Sequence, residues 1–125
     1  MASLVVIDGP EKGKSFALGQ SNLVMIGRDH SCTFQIMDPR LSRLHLQIKL
    51  LDTGSRHAAI DFQSSNGVFV NDSRIAAETP LSAGDIIRIG DTVMVYSGEN
   101  DPKAVSIEEH LRRLRQGAMT TQLGS

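Results

Sequence analysis

Short apolar or alternating segments return every eight to twelve residues along this chain, and that rhythm allows few folds. They read "LVVID", "SFAL", "LVMIG", "FQIM", "LHLQIKLL", "HAAIDF", "VFV", "IIRIG" and "TVMVY". Each is too short for a helix of ordinary length, and turn residues divide them: Asp29-His30-Ser31, Asp38-Pro39-Arg40, Ser64-Ser65-Asn66-Gly67, Asn71-Asp72-Ser73 and Gly84-Asp85. The pattern is that of an all-β sandwich or barrel. Within "HLQIKL" the alternation directs Leu46, Ile48 and Leu50 inward and Gln47 and Lys49 outward.

At 125 residues the chain is one domain in size and long enough to bury a core without staples. Thirteen basic residues against fourteen acidic ones give a net charge of −1, with no Trp and one Tyr. Neither a surface that tracks a polyphosphate nor a base-stacking platform follows, so nucleic acid is not the expected partner. The single Cys32 cannot close an intrachain disulfide, and "MASLVVIDG" lacks the basic start and long apolar run of a secretory signal. No apolar stretch approaches the length of a membrane span. The expectation is a cytoplasmic protein. The four His and one Cys show no metal-ligand spacing, so neither a metal nor a cofactor is expected.

After Ser97 the pattern changes. The sandwich is assigned to 1–98, a linker to 99–105, a short C-terminal α-helix to 106–117 and a flexible tail to 118–125. Ser106 and Glu109 form a capping box, and Gly117 suits the stop. Ile107, Leu111 and Leu114 make one apolar stripe, which needs cover from the sandwich or from another chain.

Phosphate chemistry suggests itself first in "GPEKGKS", Gly9 to Ser15. A phosphate-cradling loop of that type needs four residues between its first Gly and the Gly-Lys-Ser, followed by a helix. Here there are three, followed by the strand-like "SFAL", so a hairpin turn is the reading. A better phosphate site lies in three other loops: Gly27-Arg28, then Ser42-Arg43-Leu44-His45, then Ser64-Ser65-Asn66-Gly67. Loops of a sandwich gather at its ends, where two guanidinium groups, several hydroxyls and an amide form a donor set suited to a tetrahedral dianion. Any one of these residues alone would read as a solvated loop residue.

In order and spacing, "IGRDHSCTFQIMDPRLSRLHLQI" followed by "DFQSSNGVFVN" resembles the forkhead-associated (FHA) domain, over roughly residues 3–97. The resemblance implies an FHA-like β-sandwich of about eleven strands that binds phosphothreonine peptides through rim loops and catalyses nothing. It assigns Arg28 and Ser42 to the phosphate, with Arg43 and Ser65 beside it, and Asn66 to the peptide main chain. Gly27, His45 and Gly67 would brace the loops, and Asn71 would tie the binding loop to the following hairpin. Ser64 is read as structural. One departure is visible: Asp72 stands where the family usually has Gly.

Two rival readings remain. One is an FHA-like interaction scaffold that needs no phosphate; such a copy would be expected to have lost Arg28, Ser42 or Asn66, and all three are present. The other is a hydrolase pairing Ser42 with His45, for which no nucleophile elbow or orienting carboxylate is identifiable. Thr120 and Thr121 in the tail offer a possible ligand within the chain itself, if phosphorylated.

Overall fold

A computed structural model describes residues 2–51 and 56–97. The segments assigned above to a linker, a C-terminal helix and a tail lie outside them. Eleven strands run in chain order: β1 Ser3–Asp8, β2 Ser15–Ala17, β3 Leu23–Gly27, β4 Phe34–Gln35, β5 Leu46–Leu50, β6 His57–Asp61, β7 Val68–Val70, β8 Ser73–Arg74, β9 Thr79–Pro80, β10 Ile86–Ile89 and β11 Thr92–Ser97. They form a six-stranded sheet, β2-β1-β11-β10-β7-β8, and a five-stranded sheet, β4-β3-β5-β6-β9. The described residues therefore form an all-β sandwich, as the strand rhythm requires.

Alternation decides which side of each strand meets the core. Leu4 and Val6, Val24 and Ile26, Leu46 and Ile48, Ile87 and Ile89, and Met94 and Tyr96 all belong to one buried cluster between the sheets. Leu50, at the end of its strand, is only half buried. Tyr96 keeps its hydroxyl satisfied by His57 Nδ1 at 2.8 Å. Pro80, which cannot donate to a ladder, is in the two-residue edge strand β9.

Turn chemistry fixes the hairpins. "GPEKGKS" is the β1–β2 turn, closed by Gly13 N–H to Val6 O at 2.9 Å and Val6 N–H to Lys14 O at 2.8 Å, with Gly9 and Gly13 at φ of 108° and 99°. Between β7 and β8 the turn residues Asn71 and Asp72 have φ of 51° and 69°. Val70 pairs with Ser73 across them, so this is a two-residue turn of the mirror-image type I. Asp72 thus adopts the conformation that Gly would, at some strain.

Candidate functional site at the loop rim

The three loop clusters converge on one end of the sandwich. Gly27 closes β3, and Arg28 follows it into the β3–β4 loop. The backbone N–H of Arg28 donates to Ser42 O, and that of Asp29 to Arg43 O, both at 3.1 Å. This lays the β3–β4 loop against the β4–β5 loop. A side chain at 27 would run into the Arg43 carbonyl, which is why the position before the Arg is a Gly. The Arg28 side chain is bound in turn: its Nε donates to Leu41 O at 3.1 Å. Arg28 itself is exposed, and its Nη groups have no hydrogen-bond partner among the described residues.

The β6–β7 loop joins through Ser42, whose Oγ accepts the Ser65 N–H at 2.9 Å. Asn66 donates from its amide to Arg40 O at 2.7 Å, a second tie between the same two loops. Ser65 and Asn66 are both exposed on the rim. Ser64 is engaged inward, its hydroxyl accepting the Gly67 N–H at 3.0 Å while its own N–H donates to Asp61 at 2.9 Å.

His45 braces the arrangement from below. It is fully buried; Nδ1 accepts the Ser42 N–H at 3.0 Å, and Nε2 lies 2.8 Å from the Gly67 carbonyl. With Nδ1 an acceptor and a carbonyl opposite Nε2, the ring is the neutral tautomer protonated at Nε2. Both ring nitrogens are thus spent on main chain, and the Ser42 hydroxyl is not paired with the imidazole. Gly67 provides its carbonyl from a positive φ of 86°. A Cβ there would approach Arg74 Nε to 2.7 Å.

Arg43 is held more loosely. Its Nη2 lies 3.4 Å from Asp29 Oδ1, with the guanidinium side chain 75% exposed, so the pair is long and screened. Asp29 is held down to about 2, first by the hydroxyl and backbone N–H of Ser31 and then by the charge of Arg43. It remains an anion that keeps Arg43 at the rim without locking it.

Three residues that support the site were missed from the sequence. Asp38 is fully buried and accepts the Arg40 N–H at 2.9 Å, the Asp91 N–H at 2.9 Å and the Thr92 hydroxyl at 2.8 Å. It pins the β4–β5 loop to the β10–β11 turn. Glu11, in the "GPEKGKS" hairpin, accepts the Met37 N–H at 3.0 Å and pairs with Lys14 at 2.7 Å. That hairpin therefore supports the loop carrying Ser42. The third is Asp29. The Arg40 turn of Asp38 is a local signal visible in "DPR". The bonds from Asp38 to residues 53 and 54 positions away have none.

Asn71 lies away from this cluster. Its amide donates to Asp85 and its carbonyl accepts the Ile86 N–H, both at 3.0 Å, joining the β7–β8 turn to the start of β10. No group of three or more His, Cys, Asp or Glu is arranged for a metal among the described residues. Among the described residues no helix is long and apolar enough to cross a membrane.

A family model described as "FHA domain" matches residues 24–90. Among curated relatives, the transcriptional regulatory protein EmbR of Mycobacterium tuberculosis is 38% identical over 79 residues, 63% of this chain and 20% of that protein. FhaA, an FHA domain-containing protein of the same organism, is 31% identical over 83 residues, 66% of this chain and 15% of that one. This chain thus spans a fifth or less of these relatives. The structure of M. tuberculosis EmbR with a low-affinity phosphopeptide superposes with a TM-score of 0.67 at 33% identity, covering 77% of this chain and 24% of that one. The FhaA FHA domain, solved in complex with an intracellular domain, gives 0.67 at 27% identity, covering 77% and 99%.

Proposed function

The chain belongs to the FHA-domain family, and from that premise we propose that it is a phosphopeptide-binding module that reads phosphothreonine in a partner protein of Ser/Thr kinase signalling. The observation that carries the reading is the convergence of donors on one rim. Arg28 is tied through backbone and Nε to the loop of Ser42, and Ser42 Oγ is tied to Ser65. Their remaining N–H and O–H groups, with Arg43 beside them, match a phosphate that carries about −1.5 to −2 charges and three acceptor oxygens. Asn66, exposed at the loop tip, is the residue for the peptide main chain. EmbR, which is similar in sequence and fold, has been solved with a phosphopeptide on it.

Nothing in this arrangement needs a metal, a cofactor or a chemical step. The imidazole of His45 is a brace between Ser42 and Gly67, which removes the base from the hydrolase reading. The partner is a phosphothreonine protein that the cytoplasmic module meets in solution. Thr120 and Thr121, outside the described residues, are an in-chain source of the same ligand once phosphorylated. Kinase treatment that modifies either Thr and lowers affinity for added phosphopeptide supports that route; modification without such competition removes it.

Mutation tests the site assignment. Each charge-assisted hydrogen bond is worth about 1.5–3 kcal/mol, so Arg28→Ala weakens phosphopeptide binding by roughly tenfold or more. Arg28→Lys recovers part of it, since a point charge replaces a planar fork. Calorimetry on a phosphothreonine peptide selected from an oriented library checks both. Wild-type affinity in Arg28→Ala and in Asn66→Ala would refute the assignment.

A further inference from the structure

Five aliphatic residues lie on the side of the six-stranded sheet that faces away from the other sheet. Val5, Ile7, Ile86, Val93 and Val95 form a cluster separate from the main core. Val5, Val95 and Ile86 stand side by side on three adjacent strands. Ile7 joins them because the β1–β11 register slips between Val6 and Asp8. Along β11, Met94 and Tyr96 point into the core while Val93 and Val95 belong to the outer cluster, so the strand is apolar on both faces. Strands of that kind are ones covered on both sides. The five members all come from this one sheet, with Ile7 and Val95 each only 3% exposed and Val5, Ile86 and Val93 half-buried.

We propose that residues 106–117, "SIEEHLRRLRQG", form a helix that covers this outer face within the same molecule, seating Ile107, Leu111 and Leu114 against Val5, Ile86 and Val95. The occupant follows from the chain itself. β11 ends at Ser97 on the face in question, and the next stretch with an apolar stripe is this one. Residues 98–105 reach up to about 26 Å when extended, more than the roughly 20 Å length of a six-residue strand, so the chain can turn back over the sheet. Twelve helical residues run about 18 Å, a close match to that strand. The stripe is as narrow as the row of three aliphatics it meets, and the remaining residues of the segment are mostly charged. This face is on the outside of the six-stranded sheet, while the donor cluster is in the end loops, so the two surfaces can be occupied together.

Methyl NMR on the full chain, using a mixture of differently labelled copies, tests this. The expected result is contacts from Leu111 and Leu114 methyls to Val5, Ile86 and Val95 methyls within one copy. Leu111→Asp should abolish them and speed amide exchange across 107–114 at least tenfold. Arg113→Asp, on the opposite side of the helix, should leave both unchanged; should Leu111→Asp fail to fold, Leu114→Gln gives the same reading more mildly. Contacts seen only between copies would make the face a dimer interface. Absence of these contacts, or equal effects of Leu111→Asp and Arg113→Asp, would equally overturn the proposal.

Discussion

Ser42 and Gly67 are adjacent in the site yet differ in what they do. The Ser42 hydroxyl takes one exposed hydrogen bond from Ser65, so Ser42→Ala should cost about 0.5–1.5 kcal/mol of stability while removing the proposed phosphate donor. Gly67 is at φ 86° with Arg74 in the way of any side chain. Gly67→Val adds about 1–2 kcal/mol of backbone strain and displaces Arg74 besides. Thermal denaturation should therefore show the larger fall for Gly67→Val, and an equal or larger fall for Ser42→Ala would make Ser42 structural. At this scale the sequence was legible wherever a residue type is tied to its own loop. Arg28, Ser42, Arg43, Ser65 and Asn66 all fall in the convergent loops that their motifs suggested. Asp38 and Glu11 were missed because a carboxylate that accepts backbone N–H groups from a distant loop looks in sequence like any solvated turn acid, and Asp29 because its bonds to Ser31 are those of an ordinary local turn while its partner across the loops is the Arg43 side chain.

The elements divide along similar lines. The runs "LVVID", "LVMIG", "HAAIDF", "IIRIG" and "TVMVY" became β1, β3, β6, β10 and β11; burial alternates along β10 and most of β3, whereas β6 and β11 hold buried residues on both faces. β8 and β9, two residues each, carry no periodicity and exist only through pairing with β7 and β6. β4 lies parallel to β3 after a short loop, an arrangement set by that loop's bonds to residues 42 and 43. Among loops, the β4–β5 segment depends most on one buried group. Asp38→Ala strips three donors of their acceptor and should cost about 3 kcal/mol or more, with the loss felt at the binding rim as well. For a domain of this size that lowers the melting temperature by at least 10 °C or so. Faster amide exchange at Arg40, Asp91 and their neighbours would locate the effect; unchanged exchange there would contradict it.

For the molecule as a whole, acid should act in two stages. His57 is buried, and burial holds its pKa below the usual imidazole value of 6.5. The unfolded chain then binds more protons than the folded one below about pH 6.5, so stability present above that pH declines as pH falls toward the depressed folded value. Asp29, lowered to about 2, contributes in the same direction at lower pH: its share is intact above about pH 4 and lost as pH falls through 2. Melting temperature against pH should show both declines, and His57→Phe should remove the upper one alone; a profile flat from pH 7 to 4 in the native chain would contradict the burial of a neutral His57. The proposed phosphopeptide rim stands on this scaffold, and its affinity for such a ligand should fall moderately with added salt. The most direct test of the central claim is isothermal calorimetry of the full chain with one peptide in three forms: phosphothreonine, phosphoserine and unmodified threonine. The phosphothreonine form should bind, the phosphoserine form more weakly because it lacks a methyl worth about 0.8 kcal/mol, and the unmodified form not measurably. Equal affinity for the phosphorylated and unmodified peptides, repeated across a broad peptide library, would contradict the account.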